Sequence, residues 1–507
     1  MSKNGRVYLV GAGPGDPGLL TVKASDLIQK CDVIIYDRLV GSKIIREVPA
    51  TTEMIYVGKE SNRHALPQDD INLLLVEKAK EGKMVVRLKG GDPFLFGRGG
   101  EEAEFLKGNG IEFEVVPGVS SAIAAPAYAG IPVTHRDYTS TLNIITGHER
   151  PGKLKSSVPW KQVAAGTGTL LFLMGIENLP SIVEKLMENG RRPDTPVALV
   201  RWGTLPGQEV LVGTLEDIAE KAKISGFLPP AVIVVGEVVK LRAKLNWFDT
   251  KPLFGKTIVV TRARAQASEM VAVLEDLGAR VLEFPTISIK PLPVTRLADV
   301  IAGINKYAWL TFTSVNGVKE FLTQVYDLGY DIRDLKGPKI CAIGPATAAE
   351  VKCRGMRVSA VPSEYRAEAV AEILLREALV GEWILLPRAR GARKILPELL
   401  RSRGIGVDEL EIYEAVPASS ISGSDRQLLE KGMVDLITFT SSSTVKNLNS
   451  MLKKETVAKL SSQAQVACIG PITAQTAREA GFKVDVVAEE FTIDGLVQAI
   501  LQASEII

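Results

Sequence analysis

The chain has 507 residues, more than a single hydrophobic core normally supports, so two or more domains are expected. Its hydrophobic content of 46% and charged content of 24% are typical of a globular protein. A net charge of +2 gives no sign of a nucleic-acid-binding protein, and no apolar stretch approaches the roughly 20 residues that span a bilayer. Four cysteines without Cys-x-x-Cys pairing and only three histidines indicate a cytoplasmic protein with reduced thiols and no dedicated metal site.

Apolar runs of β type alternate with helical patterns along the chain, which predicts an α/β fold with buried, partly parallel sheets. The N-terminus is polar and leads directly into the first apolar run, Val7–Val10, without the pattern of a signal peptide. The later predicted strands are 33–36, 85–88, 170–174, 197–200, 232–235, 258–261, 309–313, 384–387 and 436–440.

A glycine-rich turn follows the first run and reads Gly-Ala-Gly-Pro-Gly-Asp over residues 11–16. It fails the Gly-x-Gly-x-x-Gly dinucleotide pattern, because its sixth position is Asp16. A tight strand-to-helix turn without a ligand explains this segment equally well. The turn by itself therefore assigns no function.

Two further segments of this kind follow strand-like runs. In the first, residues 85–102, Gly90 and Gly91 let the backbone approach a ligand closely. Asp92 either faces the positive group of a cofactor or caps the following turn. The second segment, residues 116–122, reads Val-Pro-Gly-Val-Ser-Ser-Ala.

These ordered segments resemble the uroporphyrinogen-III C-methyltransferase family over about residues 5–248. The resemblance implies a two-lobed tetrapyrrole methylase fold for a domain of residues 1–248, with S-adenosyl-L-methionine as cofactor and a homodimer as the assembly. It also implies a set of cofactor contacts, largely through backbone groups, at Pro14, Gly90, Gly91, Asp92, Leu95, Ser120, Ser121, Met174 and Gly203.

The same resemblance implies that Asp37 is the proton acceptor and Lys59 a proton donor. Because the sulfonium methyl group is already activated, the reaction needs positioning of an electron-rich pyrrole-type carbon and removal of a proton, but no metal. Asp37 alternatively caps a helix or a surface turn, and Lys59 alternatively binds a substrate carboxylate. Further candidates for binding the substrate carboxylates are Arg38, Arg87, Arg98, Arg136 and Arg201.

A domain boundary is predicted between Phe248 and Gly255, where a polar stretch with a few aromatic residues precedes a new strand. The second domain, residues 255–507, contains an internal repeat, in which 261–264 is echoed by 387–390, 309–314 by 436–441 and 341–348 by 468–474. A spacing of 82 residues is kept in both copies (344 − 262 and 470 − 388). The repeat predicts two similar α/β lobes with a ligand cleft between them.

The second half resembles uroporphyrinogen-III synthase, a family with two similar lobes joined by a two-strand hinge. The resemblance rests on residues 255–262, on the repeated Thr-Phe-Thr-Ser and Ile-Gly-Pro segments, and on residues 412–414. It implies cyclisation of hydroxymethylbilane with inversion of the last ring, through the cation that forms as the hydroxyl group leaves.

Four hydroxyl residues are predicted to contact the substrate carboxylates, because they lie where helix N-termini favour anions: Ser314, Thr347, Ser441 and Thr473. Tyr413 resembles the tyrosine near the family's cleft and is predicted to be catalytic. Serine and threonine are also the usual helix N-caps, and Tyr413 alternatively packs at the hinge.

The two resemblances together imply a fusion that converts hydroxymethylbilane to uroporphyrinogen III and methylates it twice to precorrin-2, in the siroheme and cobalamin branch. The alternative is a methylase of a later corrin intermediate joined to a ligand-binding module without synthase activity. Because the methylase motifs begin at residue 7, neither NAD use nor iron chelation is expected.

Overall fold

The computed structural model describes residues 5–58, 66–148, 158–261, 264–417 and 423–505. They form two compact units, the first running to Thr257 and the second beginning at Ile258, with Val273–Arg280 and the chain from Ser504 grouped with the first. Each unit contains two five-stranded sheets flanked by helices, so the predicted α/β class is confirmed. Within these ranges no helix combines the length and apolarity that crossing a membrane requires. The domain limits at 248 and 255 stay a prediction.

The first lobe of the first unit is a parallel sheet with the strand order β3-β2-β4-β1-β5. Its strands are β1 (Arg6–Gly11), β2 (Val33–Tyr36), β3 (Glu53–Tyr56), β4 (Met84–Lys89) and β5 (Glu112–Val116). Its helices are α1 (Val22–Lys30), α2 (Ser42–Arg46), α3 (Gln68–Lys80) and α4 (Gly99–Gly108). Because the strands are parallel, the loops that follow β1, β2, β4 and β5 all lie at one edge of the sheet.

The second lobe of this unit is a mixed sheet with the order β6-β7-β10-β8-β9. Its strands are β6 (Leu142–Thr146), β7 (Thr169–Leu173), β8 (Pro196–Arg201), β9 (Glu209–Thr214) and β10 (Ala231–Val235). The helices are α5 (Ser121–Tyr128), α6 (Trp160–Ala165), α7 (Leu179–Glu188), α8 (Ile218–Ile224) and α9 (Arg242–Leu245). Helix α5 packs on this sheet through the small side chains of Ala122, Ala125 and Ala129.

The second unit contains the remaining strands and helices. Its strands are β11 (Thr257–Val260), β12 (Arg280–Glu283), β13 (Ile287–Pro291), β14 (Tyr307–Phe312), β15 (Lys339–Ala342), β16 (Trp383–Ala389), β17 (Gly406–Pro417), β18 (Leu436–Phe439), β19 (Gln465–Cys468) and β20 (Val486–Val487). Its helices are α10 (Arg264–Asp276), α11 (Leu297–Ala302), α12 (Val315–Asp327), α13 (Pro345–Cys353), α14 (Ala367–Glu377), α15 (Ile395–Arg401), α16 (Gly423–Glu430), α17 (Ser442–Met451), α18 (Lys454–Gln463), α19 (Pro471–Glu479) and α20 (Ile493–Glu505).

The internal repeat is confirmed as two lobes with matching topology. One sheet has the order β12-β11-β18-β19-β20 and the other β13-β17-β16-β14-β15, so β11-β18-β19 corresponds to β16-β14-β15. The neighbouring strands within both triplets are parallel. The lobe that contains β13–β17 is inserted in the chain between β12 and β18. Within this lobe, β13 pairs antiparallel with the end of β17, and Ile287 lies opposite Pro417.

Candidate active sites

Three loops meet backbone to backbone at the carboxyl edge of the first sheet. Gly13 and Gly91 exchange two backbone hydrogen bonds, at 2.7 and 3.2 Å. A Cβ atom on Gly118 would lie 2.3 Å from the carbonyl oxygen of Gly91 and 2.7 Å from the Cα atom of Gly11. A Cβ atom at Gly11 or Gly118 would overlap neighbouring backbone, and Gly13 and Gly91 have a positive φ that favours glycine, which explains why all three loops carry it.

The carboxylate of Asp92 ties two of these loops together. Oδ1 accepts hydrogen bonds from the backbone N–H groups of Phe94 (2.8 Å) and Leu95 (3.0 Å), and Oδ2 accepts one from Gly118 (3.0 Å). The structure therefore places Asp92 in the turn-capping arrangement, one of the two interpretations of its sequence position.

Helix α5 brings the second lobe to the same edge. Ser120 is its N-cap, and the Ser120 hydroxyl accepts a hydrogen bond from the backbone N–H of Ala122 (3.2 Å). A Cβ atom on Gly203 would lie 2.4 Å from the Cβ atom of Ala125, so glycine is needed there for close packing against this helix.

Asp16 links the first glycine-rich turn to helix α5 and to the segment around Gly203. Its backbone N–H donates to the Thr204 hydroxyl (3.2 Å), and its carboxylate accepts a hydrogen bond from the Tyr128 hydroxyl (2.7 Å). Burial and the neighbouring Asp16 carboxylate raise the pKa of Tyr128, so this phenol remains a donor at neutral pH.

Strained backbone is concentrated around the predicted cofactor contacts. Among the described residues, the non-glycine positions with positive φ are Phe96, Arg98, Met174, Trp202 and Thr204. They include one predicted contact, Met174, and flank two others, Leu95 and Gly203. Such conformations cost free energy and persist where a binding site requires them.

The predicted cofactor contacts differ in their solvent access. Pro14, Gly90, Gly91, Asp92, Leu95, Ser120 and Ser121 are half-buried, Gly203 is buried, and the Met174 side chain is 53% exposed. The structure brings the loops from the first lobe and α5 together. Met174 and Gly203 follow β7 and β8 at one edge of the second sheet.

Asp37 lies directly after β2, at the same edge of the first sheet. Its Oδ1 accepts a hydrogen bond from the backbone N–H of Leu39 (3.0 Å), and its Oδ2 accepts one from Arg87 (3.2 Å). The Asp37 side chain is 27% exposed, so a substrate can reach the carboxylate. Lys59 lies outside the described residues.

A buried charged cluster behind Asp37 was missed by the sequence analysis. Glu102 is 0% exposed, and its Oε1 accepts hydrogen bonds from Arg87 (3.2 Å) and Lys89 (2.7 Å). The suggestion that Arg87 binds a substrate carboxylate is wrong, because this residue is 3% exposed and its guanidinium donates to Glu102, to Asp37 and to backbone carbonyl groups. Burial, followed by the neighbouring Arg87, lowers the pKa of Lys89.

In the second unit, Ser314 and Tyr413 are brought into direct contact, with 2.9 Å between the serine Oγ and the tyrosine hydroxyl oxygen. Ser314 is also the N-cap of α12 and accepts a hydrogen bond from the backbone N–H of Gly317 (2.9 Å). Burial raises the pKa of Tyr413, so the phenol keeps its proton at neutral pH.

The other predicted hydroxyl residues occupy matched positions. Ser441 caps α17 as Ser314 caps α12, and its hydroxyl accepts a hydrogen bond from the backbone N–H of Thr444 (3.3 Å). Thr347 and Thr473 lie in the first turns of α13 and α19, where both side chains are buried. Their hydroxyl groups therefore present little surface to a ligand.

Comparison with known proteins agrees with this division. Residues 6–219 match the family described as Tetrapyrrole (Corrin/Porphyrin) Methylases, and residues 268–498 match Uroporphyrinogen-III synthase HemD. The porphyrin biosynthesis protein HemD of Ruminiclostridium josui is 40% identical over 501 residues, which is 99% of this chain and 98% of that protein.

Two further relatives match the first half. The S-adenosyl-L-methionine-dependent uroporphyrinogen III methyltransferase of Methanosarcina barkeri is 57% identical over 48% of this chain and 95% of its own. A crystal structure of uroporphyrin-III C-methyl transferase from Thermus thermophilus, complexed with S-adenosyl homocysteine, is 40% identical over 47% of this chain and 100% of its own, with a TM-score of 0.40.

The chain belongs to the family of proteins that fuse a tetrapyrrole methylase to a uroporphyrinogen-III synthase. It is an enzyme of tetrapyrrole biosynthesis with two activities, an S-adenosylmethionine-dependent uroporphyrinogen-III C-methyltransferase and a uroporphyrinogen-III synthase.

Proposed function

We propose that the first unit binds S-adenosylmethionine at the carboxyl edge of its first sheet and converts uroporphyrinogen III to precorrin-2 by two methyl transfers. The observation that carries this proposal is the meeting of three glycine loops with the N-terminus of α5. The half-buried segments at Pro14, Gly90 and Ser120 suit the polar groups of the cofactor, and the first turn of α5 suits its carboxylate. Bound there, the cofactor supplies an activated methyl group.

Asp37 is proposed as the base of this reaction. It follows β2, the neighbour of β4, and so lies next to the loop that begins at Gly90. As the new C–C bond forms, the substrate must lose a proton, and a fixed and reachable carboxylate can accept it. Lys59 stays a prediction as a proton donor.

For the second unit we propose that the Ser314–Tyr413 pair lines the site that cyclises hydroxymethylbilane. When the C–O bond of the hydroxymethyl group breaks, the leaving oxygen takes up a proton. A phenol that stays protonated at neutral pH and is held by a hydroxyl partner can supply a hydrogen bond there. Ser441 and the first turns of α13, α17 and α19 are proposed to receive substrate carboxylates.

Separate assays of the two activities test this proposal. Purified chain incubated with uroporphyrinogen III and S-adenosylmethionine should give a product heavier by two methyl groups, and hydroxymethylbilane alone should give uroporphyrinogen III. Methylation of a later corrin intermediate, with uroporphyrinogen III left unchanged, would favour the alternative function. Formation of the type I isomer only would contradict the synthase assignment.

We further propose that the chain acts as a homodimer in the cytoplasm, on small tetrapyrrole substrates and not on nucleic acid. The family resemblance of the first half supports the dimer, and the net charge of +2 supports the absence of a nucleic-acid partner. Size-exclusion chromatography with light scattering tests the assembly, and a mass of one chain would contradict it.

A further inference from the structure

Strand β4 carries two charged side chains into the interior of the first lobe. Arg87 and Lys89 are two residues apart and so point to the same face of the sheet as Val85, the face that α3 and α4 cover. Arg87 is 3% and Lys89 5% exposed. Two cations in such a place lose most of their hydration and need internal partners.

Glu102 on α4 is the partner that the two cations share. Its Oε1 accepts hydrogen bonds from Arg87 Nε, Lys89 Nζ and Gln68 Nε2. Its Oε2 is buried and has no hydrogen-bond partner among the described residues. All three hydrogen bonds of Glu102 are therefore accepted by Oε1, and the bond from Arg87 Nε fixes the orientation of the guanidinium.

The fixed guanidinium in turn reaches Asp37. Arg87 uses its remaining N–H groups to bond the carbonyl oxygens of Ile35 (3.4 Å) and Leu88 (3.2 Å), and its Nη2 donates to Asp37 Oδ2 (3.2 Å). Each nitrogen of the guanidinium therefore has a partner. Nε donates to Glu102 on α4, Nη1 donates to backbone carbonyls of β2 and β4, and Nη2 donates to Asp37 after β2. The two carboxylates, of Glu102 and Asp37, face the two cations, Arg87 and Lys89, so their formal charges balance.

We propose that Glu102, acting through Arg87, is a positioning residue for Asp37 in methyl transfer. Arg87 holds one carboxylate oxygen while the backbone N–H of Leu39 holds the other, so the carboxylate keeps one orientation at the end of β2. Each oxygen accepts one of these bonds and retains capacity for a substrate proton. This inference rests on the proposed role of Asp37 as the base.

The test is a double-mutant cycle on the purified full-length chain. Glu102→Gln keeps the shape of the side chain and removes its charge, and Glu104→Gln changes an exposed glutamate on the same helix as a control. Single-turnover methylation of uroporphyrinogen III with a labelled methyl group is measured for wild type, Glu102→Gln, Asp37→Asn and the double variant, together with the Kd for S-adenosylmethionine.

Glu102→Gln should slow methyl transfer about tenfold or more in the wild-type background, because small displacements of a catalytic group have large effects on rate. The Kd for the cofactor should stay within about twofold, since no member of the cluster is among the proposed cofactor contacts. In the Asp37→Asn background the same substitution should change the rate less than about twofold, because its effect passes through the Asp37 carboxylate. Glu104→Gln should match wild type.

Equal losses in both backgrounds, or an unchanged rate in Glu102→Gln, would overturn the inference. If Glu102→Gln fails to fold, Glu102→Asp takes its place, because it keeps the charge and withdraws the carboxylate from Arg87. The same slowing and the same dependence on Asp37 are expected of it. A wild-type chain that does not methylate uroporphyrinogen III would overturn the proposed function itself, and with it this inference.

Discussion

The two units build their candidate sites by different means. In the first, backbone carries the site: three loops pack at glycine, and all five non-glycine residues with positive φ found in the described chain lie there, Phe96, Arg98, Met174, Trp202 and Thr204. In the second, the helix N-caps Ser314 and Ser441 occupy matching positions in the two lobes, and Ser314 contacts Tyr413. The described residues of the second unit contain no non-glycine position with positive φ.

This difference has a consequence for substitution. A site that depends on strained and closely packed backbone includes a few positions where no side chain fits. Single substitutions at those positions should strongly reduce binding or stability. A site made of helix caps distributes its contacts over two lobes, so single changes should be milder.

Asp37→Asn should lower the rate of methyl transfer about 100-fold or more, the usual contribution of a positioned acid or base. Synthase activity of the same molecules serves as the internal control, because the substitution lies in the first unit. The rate is measured from the transfer of a labelled methyl group to uroporphyrinogen III. Methyl transfer at the wild-type rate would remove Asp37 from the mechanism.

Gly118→Ala should destabilise the first unit by about 3 kcal/mol and abolish cofactor binding, because the new Cβ atom would overlap the backbone of Gly91 and Gly11. Gly108→Ala is the matched control, since nothing lies within 4 Å of a Cβ atom there. Thermal unfolding and the Kd for S-adenosylmethionine are measured for both. Equal behaviour of the two variants would refute the close packing of the three loops.

Tyr413→Phe should slow the formation of uroporphyrinogen III about tenfold, because it removes the phenol that contacts Ser314. Methylation of supplied uroporphyrinogen III should not change. The ratio of type III to type I product, measured by chromatography after oxidation, reports the loss, since uncatalysed ring closure competes. An unchanged ratio and rate would leave Tyr413 with a packing role only.

Ser314→Ala and Ser441→Ala should each cost about 1 kcal/mol of stability, because each serine caps a helix. They should differ in how strongly they affect activity: only Ser314 is bonded to Tyr413, so Ser314→Ala should slow the synthase more than Ser441→Ala does. Paired unfolding and activity measurements separate the two effects. Equal activity losses would show that the two lobes contribute alike.

The last prediction concerns the reactivity of the four cysteine thiols. Burial raises the pKa of Cys31 to about 11 and of Cys341 and Cys468 to about 12, whereas Cys353 is exposed. Because a raised pKa leaves little thiolate at neutral pH, one thiol in each native chain should react with a disulfide reagent, and the other three only on unfolding. Rapid reaction of more than one thiol in the native chain would contradict the burial of these cysteines.

Local sequence patterns predicted the α/β class and ten of the twenty strands in the described part of the chain. The nine later strands predicted from apolar runs each overlap an observed strand, because strands buried on both faces leave a continuous apolar signal. The repeat was readable because both lobes keep glycine and serine where a strand turns into a helix. The loops around Gly13, Gly91 and Gly118 were found for a similar reason, since close backbone packing or a positive φ favours glycine there.

Tertiary contacts account for what was missed. The sequence shows Arg87 in an apolar run but not its pairing with Glu102, because that contact depends on how α4 lies on β4. A charged residue inside a strand expected to be buried was a usable signal, since such a charge needs a partner. Thr347 and Thr473 were expected to face a ligand, and the sequence does not show that the rotation of α13 and α19 buries them.

One assay tests the central claim, that a single chain carries both activities. Hydroxymethylbilane and S-adenosylmethionine are given together to the purified chain, and the products are identified by mass and by isomer type. We predict that dimethylated precorrin-2 accumulates, with the type III arrangement of side chains. Unmethylated uroporphyrinogen, or products of type I only, would contradict the account.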